Sequence, residues 1–252
     1  MKGDEVMSRG KGIPAEIDDG CRLLVRTASM FSPEHIRILN ELAHTRMLNE
    51  GDYLFQEGST ADRIFLILDG SIELYRVHKE EAASTMALYF AGDLFGESNP
   101  AASGLHPYRA IAMESTIVGE IMQKDVNHLL RTSGQFAEEF VAWSGLMNRI
   151  TQSKLRDFLH YGKSGALCAL LLRLANTYPA EIKGVRYINK RITNADMAEM
   201  ISATRESVNR LLGDLKSKKV ISMFEGKVVL HDIAYLRKVC NCDNCPIEIC
   251  RM

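Results

Sequence analysis

Residues 134–161 read GQFAEEFVAWSGLMNRITQSKLRDFLHY, and the spacing of their apolar side chains decides how the rest of the chain is arranged. Phe136, Phe140, Trp143, Met147 and Ile150 recur at intervals of 4, 3, 4 and 3. That is the a/d pattern by which a helix buries one stripe against a partner helix. The stretch is therefore expected to be a long helix whose stripe forms a dimer seam. The next two seam positions are Lys154 and Asp157, so the stripe turns charged as the helix ends near Gly162, a residue suited to the left-handed position that closes a helix. Asp157 runs against local rules. A carboxylate near a helix C-terminus meets the negative end of the dipole, and its neighbours on the stripe are built for burial. It is either the hydrated, splayed end of a seam or a ligand, and the helix alone leaves both open.

On the N-terminal side of this helix the apolar period falls to two. Residues 52–55, Ile64 to Leu68, Ser71 to Tyr75, Met86 to Phe90, Tyr108 to Ala112 and Thr116 to Ile121 read as short strands, with turn signals at Glu57-Gly58, Asp69-Gly70 and Ala91-Gly92-Asp93. Many short strands at near-regular spacing predict a small antiparallel barrel of jelly-roll type. Ahead of them, Ser32-Pro33-Glu34 starts a short helix, and residues 1–22 carry no period and read as an extension.

On the C-terminal side the signals are helical again. Thr193-Asn194-Ala195-Asp196 is an N-cap with an acidic third residue. Ile201-Ser202-Ala203 makes a break, and Thr204 is a second N-cap. The helix after it has Val208, Leu211, Leu212 and Leu215 on its inner face and Arg205, Glu206, Asn209 and Arg210 on or near its outer one. Two short helices joined this closely form a helix-turn-helix, and residues 220–230 add a hairpin wing. Between Lys183 and Lys227 there are ten Lys/Arg against five Asp/Glu, a local positive excess suited to phosphate contacts. A plain αα-hairpin with a solvated charged face is the competing reading. Basic residues in the first turns of the second helix favour DNA, because those positions reach base edges. There Arg can pair with guanine and Glu with cytosine.

Composition limits the remaining options. The 252 residues carry 31 basic and 32 acidic side chains, so nucleic-acid affinity must be local. No apolar run approaches the roughly 18 residues of a membrane span, and no secretory h-region is visible, which makes the cytoplasm the expected compartment. Six cysteines, four of them within residues 240–252, then read as thiols or metal ligands rather than a disulfide framework. The tail, Cys240-Asn241-Cys242-Asp243-Asn244-Cys245-Pro246-Ile247-Glu248-Ile249-Cys250, could hold an iron–sulfur centre. It could equally form a zinc site from Cys240, Cys242, Cys245 and Cys250, act as a dithiol switch, or consist of scattered thiols.

Phe55-Gln56-Glu57-Gly58, the Ile64 to Gly70 strand and turn, Gly92-Asp93-Leu94-Phe95-Gly96-Glu97 and the long helix together resemble the CRP/FNR transcription regulators. The run Thr204 to Arg210 resembles their recognition helix, in the subgroup that reads a TGTGA half-site; Ser202 stands where that family's turn has glycine. The cyclic AMP branch follows its Gly-Glu with an Arg-Ser that holds the cyclic phosphate. Here Gly96-Glu97 is followed by a loop, Pro100 to Pro107, without that pair, and Arg109 lies in a strand. A cyclic nucleotide is therefore not expected, and the barrel reads as a scaffold. The tail, most specifically Cys242-x₂-Cys245-x₄-Cys250, is similar to the Bacillus-type FNR branch with a C-terminal [4Fe-4S] cluster, and Cys21 is alone at the N-terminus.

What the resemblance implies is an α+β chain: a sensory-type barrel of the cyclic-nucleotide-binding kind over 23–133, a dimerisation helix over 134–161, a winged helix-turn-helix over 162–239 and a cluster-binding tail over 240–252. It implies Cys242, Cys245, Cys250 and Asp157 as cluster ligands, with Cys240 the local alternative to Asp157 and Cys168 a core residue. It implies a homodimeric, oxygen-sensing activator of anaerobic and nitrate respiration genes, not an enzyme, whose partners are double-stranded DNA and RNA polymerase. Two rivals stand beside it: a regulator controlled by a small ligand in the barrel with structural zinc in the tail, and a redox enzyme using the cysteines.

Overall fold

In the computed structural model, which describes residues 26–77, 83–97, 104–182 and 184–252, short strands precede and short helices follow one long helix. The expected extension over residues 1–22, with Cys21, and the loop residues 100–103 lie outside the described residues. The first part contains α1 (Pro33–Leu42) and strands β1 (His44–Leu48), β2 (Tyr53–Phe55), β3 (Thr60–Ala61), β4 (Arg63–Asp69), β5 (Ser71–Val77), β6 (Ala83–Phe90), β7 (Leu94–Gly96), β8 (Gly104–Leu105), β9 (Arg109–Ala112) and β10 (Thr116–Met122). They form two four-stranded sheets in the orders β1-β10-β4-β7 and β2-β9-β5-β6, with a small β3-β8 pair, all antiparallel.

β4 explains the layering. Phe65 and Ile67 enter the core between the sheets with Ile72, Phe95 and Val118. Ile64 and Leu66, on the opposite face, join a second core with Leu94, Ile121 and Val126. A strand covered on both faces has no polar alternation, as the sequence Ile64-Phe65-Leu66-Ile67 shows.

The cover on that second face is helical. α2 (Gln123–Thr132) leads into α3 (Gly134–His160), capped by Ser133, whose hydroxyl accepts from the Phe136 amide. Phe136, Phe140 and Trp143 are buried in this core against Phe31, with ring centroids 5.5 to 6.5 Å from its ring, and the Trp143 indole donates to the Leu94 carbonyl at 3.2 Å. This corrects the seam expectation. Phe136, Phe140 and Trp143 are covered by their own barrel, Met147 packs against both barrel cores, and Ile150 is buried beside them. On its other side α3 leaves Val141 (69%), Leu155 (54%) and Leu159 (67%) exposed, and beyond the stripe Phe158 is exposed as well. Period 3.5 marks a buried stripe and does not say which surface buries it.

α4 (Gly162–Thr177) is buried on nearly every side. Around it lie the hairpin β11 (Pro179–Ile182) and β12 (Val185–Ile188), then α5 (Asn194–Met200), α6 (Arg205–Ser217), the wing strands β13 (Ile221–Phe224) and β14 (Lys227–Leu230), and α7 (Ile233–Val239). β11, β12, β14 and β13 form one sheet in that order. This C-terminal core also takes in Leu88 of β6, and Phe90 meets Tyr178 edge to face at 5.8 Å. The edge strand of the barrel is thus covered by the helix-turn-helix unit, which protects it from pairing elsewhere. Among the described residues no helix is long and apolar enough to cross a membrane.

Candidate functional site

Two groups of polar side chains stand out, one exposed and one buried. The exposed group is on α6. α5 begins with a reciprocal capping box in which the Thr193 hydroxyl accepts from the Asp196 amide at 3.1 Å and the Asp196 carboxylate accepts from the Thr193 amide at 2.8 Å. The turn passes through Ser202 at φ +48°, a left-handed conformation costly for a residue with a Cβ. Thr204 then caps α6 by accepting from the Ser207 amide. Val208, Leu212 and Leu215 are buried on the inner face, which turns Arg205, Glu206, Asn209 and Arg210 outward, all exposed. Asn209 accepts from the Asn194 side-chain amide. Among the described residues neither Arg205 nor Arg210 has an ion-pair partner, so both guanidinium forks are free for an external acceptor. In the wing, Glu225 and Gly226 both have positive φ, +49° and +78°, as a tight hairpin turn requires.

The buried group is where α3, α4 and the cysteine tail meet. α7 packs along α4 and delivers the chain to Cys240, and the tail then folds back over α4. Cys240, Cys242, Cys245, Cys250, Asp157 and Arg173 line one small cavity of about 10 Å³, room for a single water. Asp157 is 6% exposed, so it is not a hydrated helix end. Its Oδ2 accepts from Arg173 Nε at 2.9 Å and Nη2 at 2.6 Å, and its Oδ1 accepts from Arg156 Nη2 at 3.2 Å. Burial pushes the Cys240 thiol up to about 11 and the Cys250 thiol up to about 12. Both are protonated at neutral pH, and a metal would bind by displacing those protons. Cys168 is buried in the α4 core and likewise pushed up to about 12.

The donor set suits a metal centre. Four thiols and a carboxylate converge, and two guanidinium groups lie close enough to offset thiolate charge. The arrangement is not that of a formed site: among the described residues no group of three or more His, Cys, Asp or Glu side chains is placed to hold a metal ion. Asp157 is committed to arginines instead.

Arg173 is the residue that sequence reasoning overlooked. It is the one charge in the run Ala169 to Ala175, in the buried middle of a helix whose other polar side chains lie near its two ends. That is itself a signal, because a fully buried Arg requires a paired carboxylate. The tail also reaches the barrel: Arg251 forms a buried ion pair with Asp93, which accepts as well from the amides of Thr27 and Phe90 at 3.0 Å.

In the barrel, Gly96 ends β7 and Glu97 follows it; burial raises the Glu97 carboxyl above its usual range. Arg109 faces β5, where it bonds Tyr75. A cavity of about 320 Å³ opens between β5, β6, α3 and the helix-turn-helix, lined by Leu74, Met86, Tyr89, Ile150, Lys154 and Met200 among others.

Residues 45–133 match the cyclic nucleotide-binding domain family and residues 165–239 the Crp-like helix-turn-helix domain family. The chain is 36% identical over 229 residues to the anaerobic regulatory protein of Bacillus subtilis, covering 89% of this chain and 95% of that one. It is 26% identical over 182 residues to the global nitrogen regulator of a Nostoc species, covering 71% and 81%. Among solved structures it superposes on FixK2 from Bradyrhizobium japonicum with a TM-score of 0.64 at 17% identity, covering 78% of this chain and 96% of that one, which shows a shared fold. The relatives are transcription regulators and not enzymes. A relative this similar along nearly the whole of both sequences places the chain in the CRP/FNR family of DNA-binding transcription regulators.

Proposed function

We propose that the protein is an oxygen-sensing activator of anaerobic and nitrate respiration genes, working in the cytoplasm as a homodimer with a [4Fe-4S] cluster. Cys242, Cys245 and Cys250 with Asp157 would hold the cluster, and Arg205, Glu206, Asn209 and Arg210 would read a TGTGA-type palindrome, with RNA polymerase as the further partner. One observation carries the reading: Asp157, from the helix that precedes the DNA-binding unit, lines the same cavity as the tail cysteines. The name of the Bacillus subtilis relative, anaerobic regulatory protein, agrees with it.

When bound, the cluster supplies a centre that oxygen destroys. The chain's own residues supply the readout. Asp157 belongs to α3, whose exposed Val141, Leu155 and Leu159 form an apolar face suited to a second copy. The tail lies against α4, around which the α5–α6 unit is packed. Anything that moves the tail therefore bears on how the recognition helices are held, and a palindromic site requires them about one helical turn apart.

The test is strict anaerobic purification with an ultraviolet–visible spectrum, iron and sulfide analysis, and binding to a TGTGA palindrome before and after exposure to air. Brown protein with iron and sulfide, whose binding falls in air, supports the reading. Colourless protein containing zinc, indifferent to air, overturns it. Arg210→Ala should lose discrimination between the palindrome and a mutated site by about 1–3 kcal/mol per half-site. Equal losses on specific and random DNA would remove Arg210 from the readout.

The 320 Å³ cavity favours a second reading, a regulator governed by a small effector with structural zinc on Cys240, Cys242, Cys245 and Cys250. The same metal analysis separates the two.

A further inference from the structure

Beyond the residues already placed at the tail, α4 offers a row of side chains aimed at the tail's backbone. Arg173 Nη1 donates to the carbonyls of Ile249 at 2.9 Å and Arg251 at 3.2 Å. Asn176 Nδ2 donates to the carbonyl of Cys250 at 2.7 Å. The Thr177 hydroxyl accepts from the Met252 amide at 3.1 Å. The backbone on both sides of Cys250 is thus bound to one helix face, through groups that are indifferent to the tail's side chains.

Arg173 has a second set of bonds. Its Nε and Nη2 go to Asp157, and Nη2 also donates to the Ser153 hydroxyl at 2.8 Å. One guanidinium, 5% exposed, therefore holds Asp157 on α3 and the carbonyls flanking Cys250 in the tail. Its rigid fork makes this possible, since five donors leave it in fixed directions; a lysine, with three donors on one atom, could not span both. Asp157 takes only Nε and one Nη2 donor. The Nη1 donors, which burial would otherwise leave unsatisfied, are met by the two carbonyls flanking Cys250, so satisfying this one side chain ties α3 to the tail.

We infer that Arg173 is the positioning residue of the tail site, with Asn176 as its auxiliary: it sets the distance between Asp157 and Cys250 before any metal arrives. The inference rests on reading the tail as a metal site, but it makes a separate claim about the metal-free chain.

The test begins with full-length, metal-free protein under reductant, pulsed with N-ethylmaleimide and mapped by peptide mass spectrometry. Arg173→Ala should raise the labelling rate of Cys250 by on the order of tenfold, as expected when charged hydrogen bonds that close a local opening are lost, while Cys168 in the α4 core stays protected. Labelling of Cys250 within about twofold of wild type would overturn the inference. If Cys168 is exposed as well, Arg173→Ala has lost its fold and Asn176→Ala decides: several-fold faster labelling at Cys250 alone supports the docking face, and no change overturns it.

The second measurement separates positioning from mere anchoring. After anaerobic reconstitution with iron and sulfide, Arg173→Ala should show a lower iron-to-sulfide ratio than wild type and an altered visible spectrum, because the Asp157 corner is misplaced. A faster-labelling Arg173→Ala that reconstitutes to the wild-type ratio and spectrum would refute positioning. Wild-type protein that takes up no iron or sulfide would refute the cluster reading itself, whatever the labelling shows.

Discussion

The two ends of α3 bury the same stripe by opposite means. Over Phe136, Phe140 and Trp143 the stripe is apolar and lies on the outer face of the β1-β10-β4-β7 sheet. At Asp157 it is polar, its carboxyl group bonded to Arg173 and lying against the cysteine tail. The first end needs only shape and apolar area, each large side chain contributing about 2–3 kcal/mol by leaving water. The second needs named partners, because a buried carboxylate without its arginine is costly. Apolar burial fastens the helix permanently to the barrel, whereas ionic burial can be renegotiated when charge nearby changes. A regulator benefits from having both on one rod.

The largest effect that bears on this contrast is expected at the apolar end. Trp143→Ala should cost about 4 kcal/mol of stability by opening a cavity that the stiff sheet cannot fill, measured by urea unfolding of metal-free protein. A cost below about 1 kcal/mol would show that the stripe is not the fastening it resembles.

At the ionic end, Asp157→Ala should cost about 3 kcal/mol in the metal-free chain by leaving Arg173 buried and unpaired. The double variant Asp157→Leu with Arg173→Met should recover most of that loss, since apolar replacement of a buried pair is often neutral. A double variant as unstable as the single one would mean that the cost lies elsewhere than in the unpaired charge.

Lys154 sits between the two ends and gives a pH dependence. Burial, and then the neighbouring Arg173 and Arg251, lower its ammonium group to about 7, while its Nζ donates to the Met86 carbonyl at 3.4 Å. The unfolded chain then binds one more proton than the folded one between about pH 7 and the ordinary lysine range, so this residue makes stability rise with pH across that window; below it the half-buried ammonium is charged in both states and its cost no longer changes with pH. Lys154→Met should therefore stabilise the protein at about pH 6.5 and lose that advantage by about pH 10. An advantage independent of pH would assign the gain to packing. The smallest effect is expected across the junction, at the strained turn, where Ser202→Gly should add about 1 kcal/mol or less by relieving the left-handed φ, read as a small upward shift in Tm.

The strands at the barrel's centre were legible from their alternation or from unbroken apolar runs, but β1 was not. His44 to Met47 are all exposed and only Leu48 is buried, so no period of burial marks the strand. It exists because the backbone of β10 offers it a ladder from Glu120 to Thr116. The recognition helix was legible almost entirely, since Thr193, Asp196 and Thr204 act through bonds to residues three positions away. From spacing alone the tail site was legible only as a set of donors; the family resemblance added Asp157, and Arg173 went unread.

That division has a physical origin. Helix periodicity, capping boxes and cysteine spacing are consequences of local geometry, so the sequence by itself determined the long helix, its buried stripe, the helix-turn-helix and the outward aim of Arg205 and Arg210. Which surface covers a stripe, and which arginine meets a buried carboxylate, depend on packing between segments far apart along the chain. Only the tertiary structure could turn Phe136, Phe140 and Trp143 inward to their own barrel and leave Val141, Leu155 and Leu159 outside. It alone supplied Arg173 as the group that holds Asp157 to the tail.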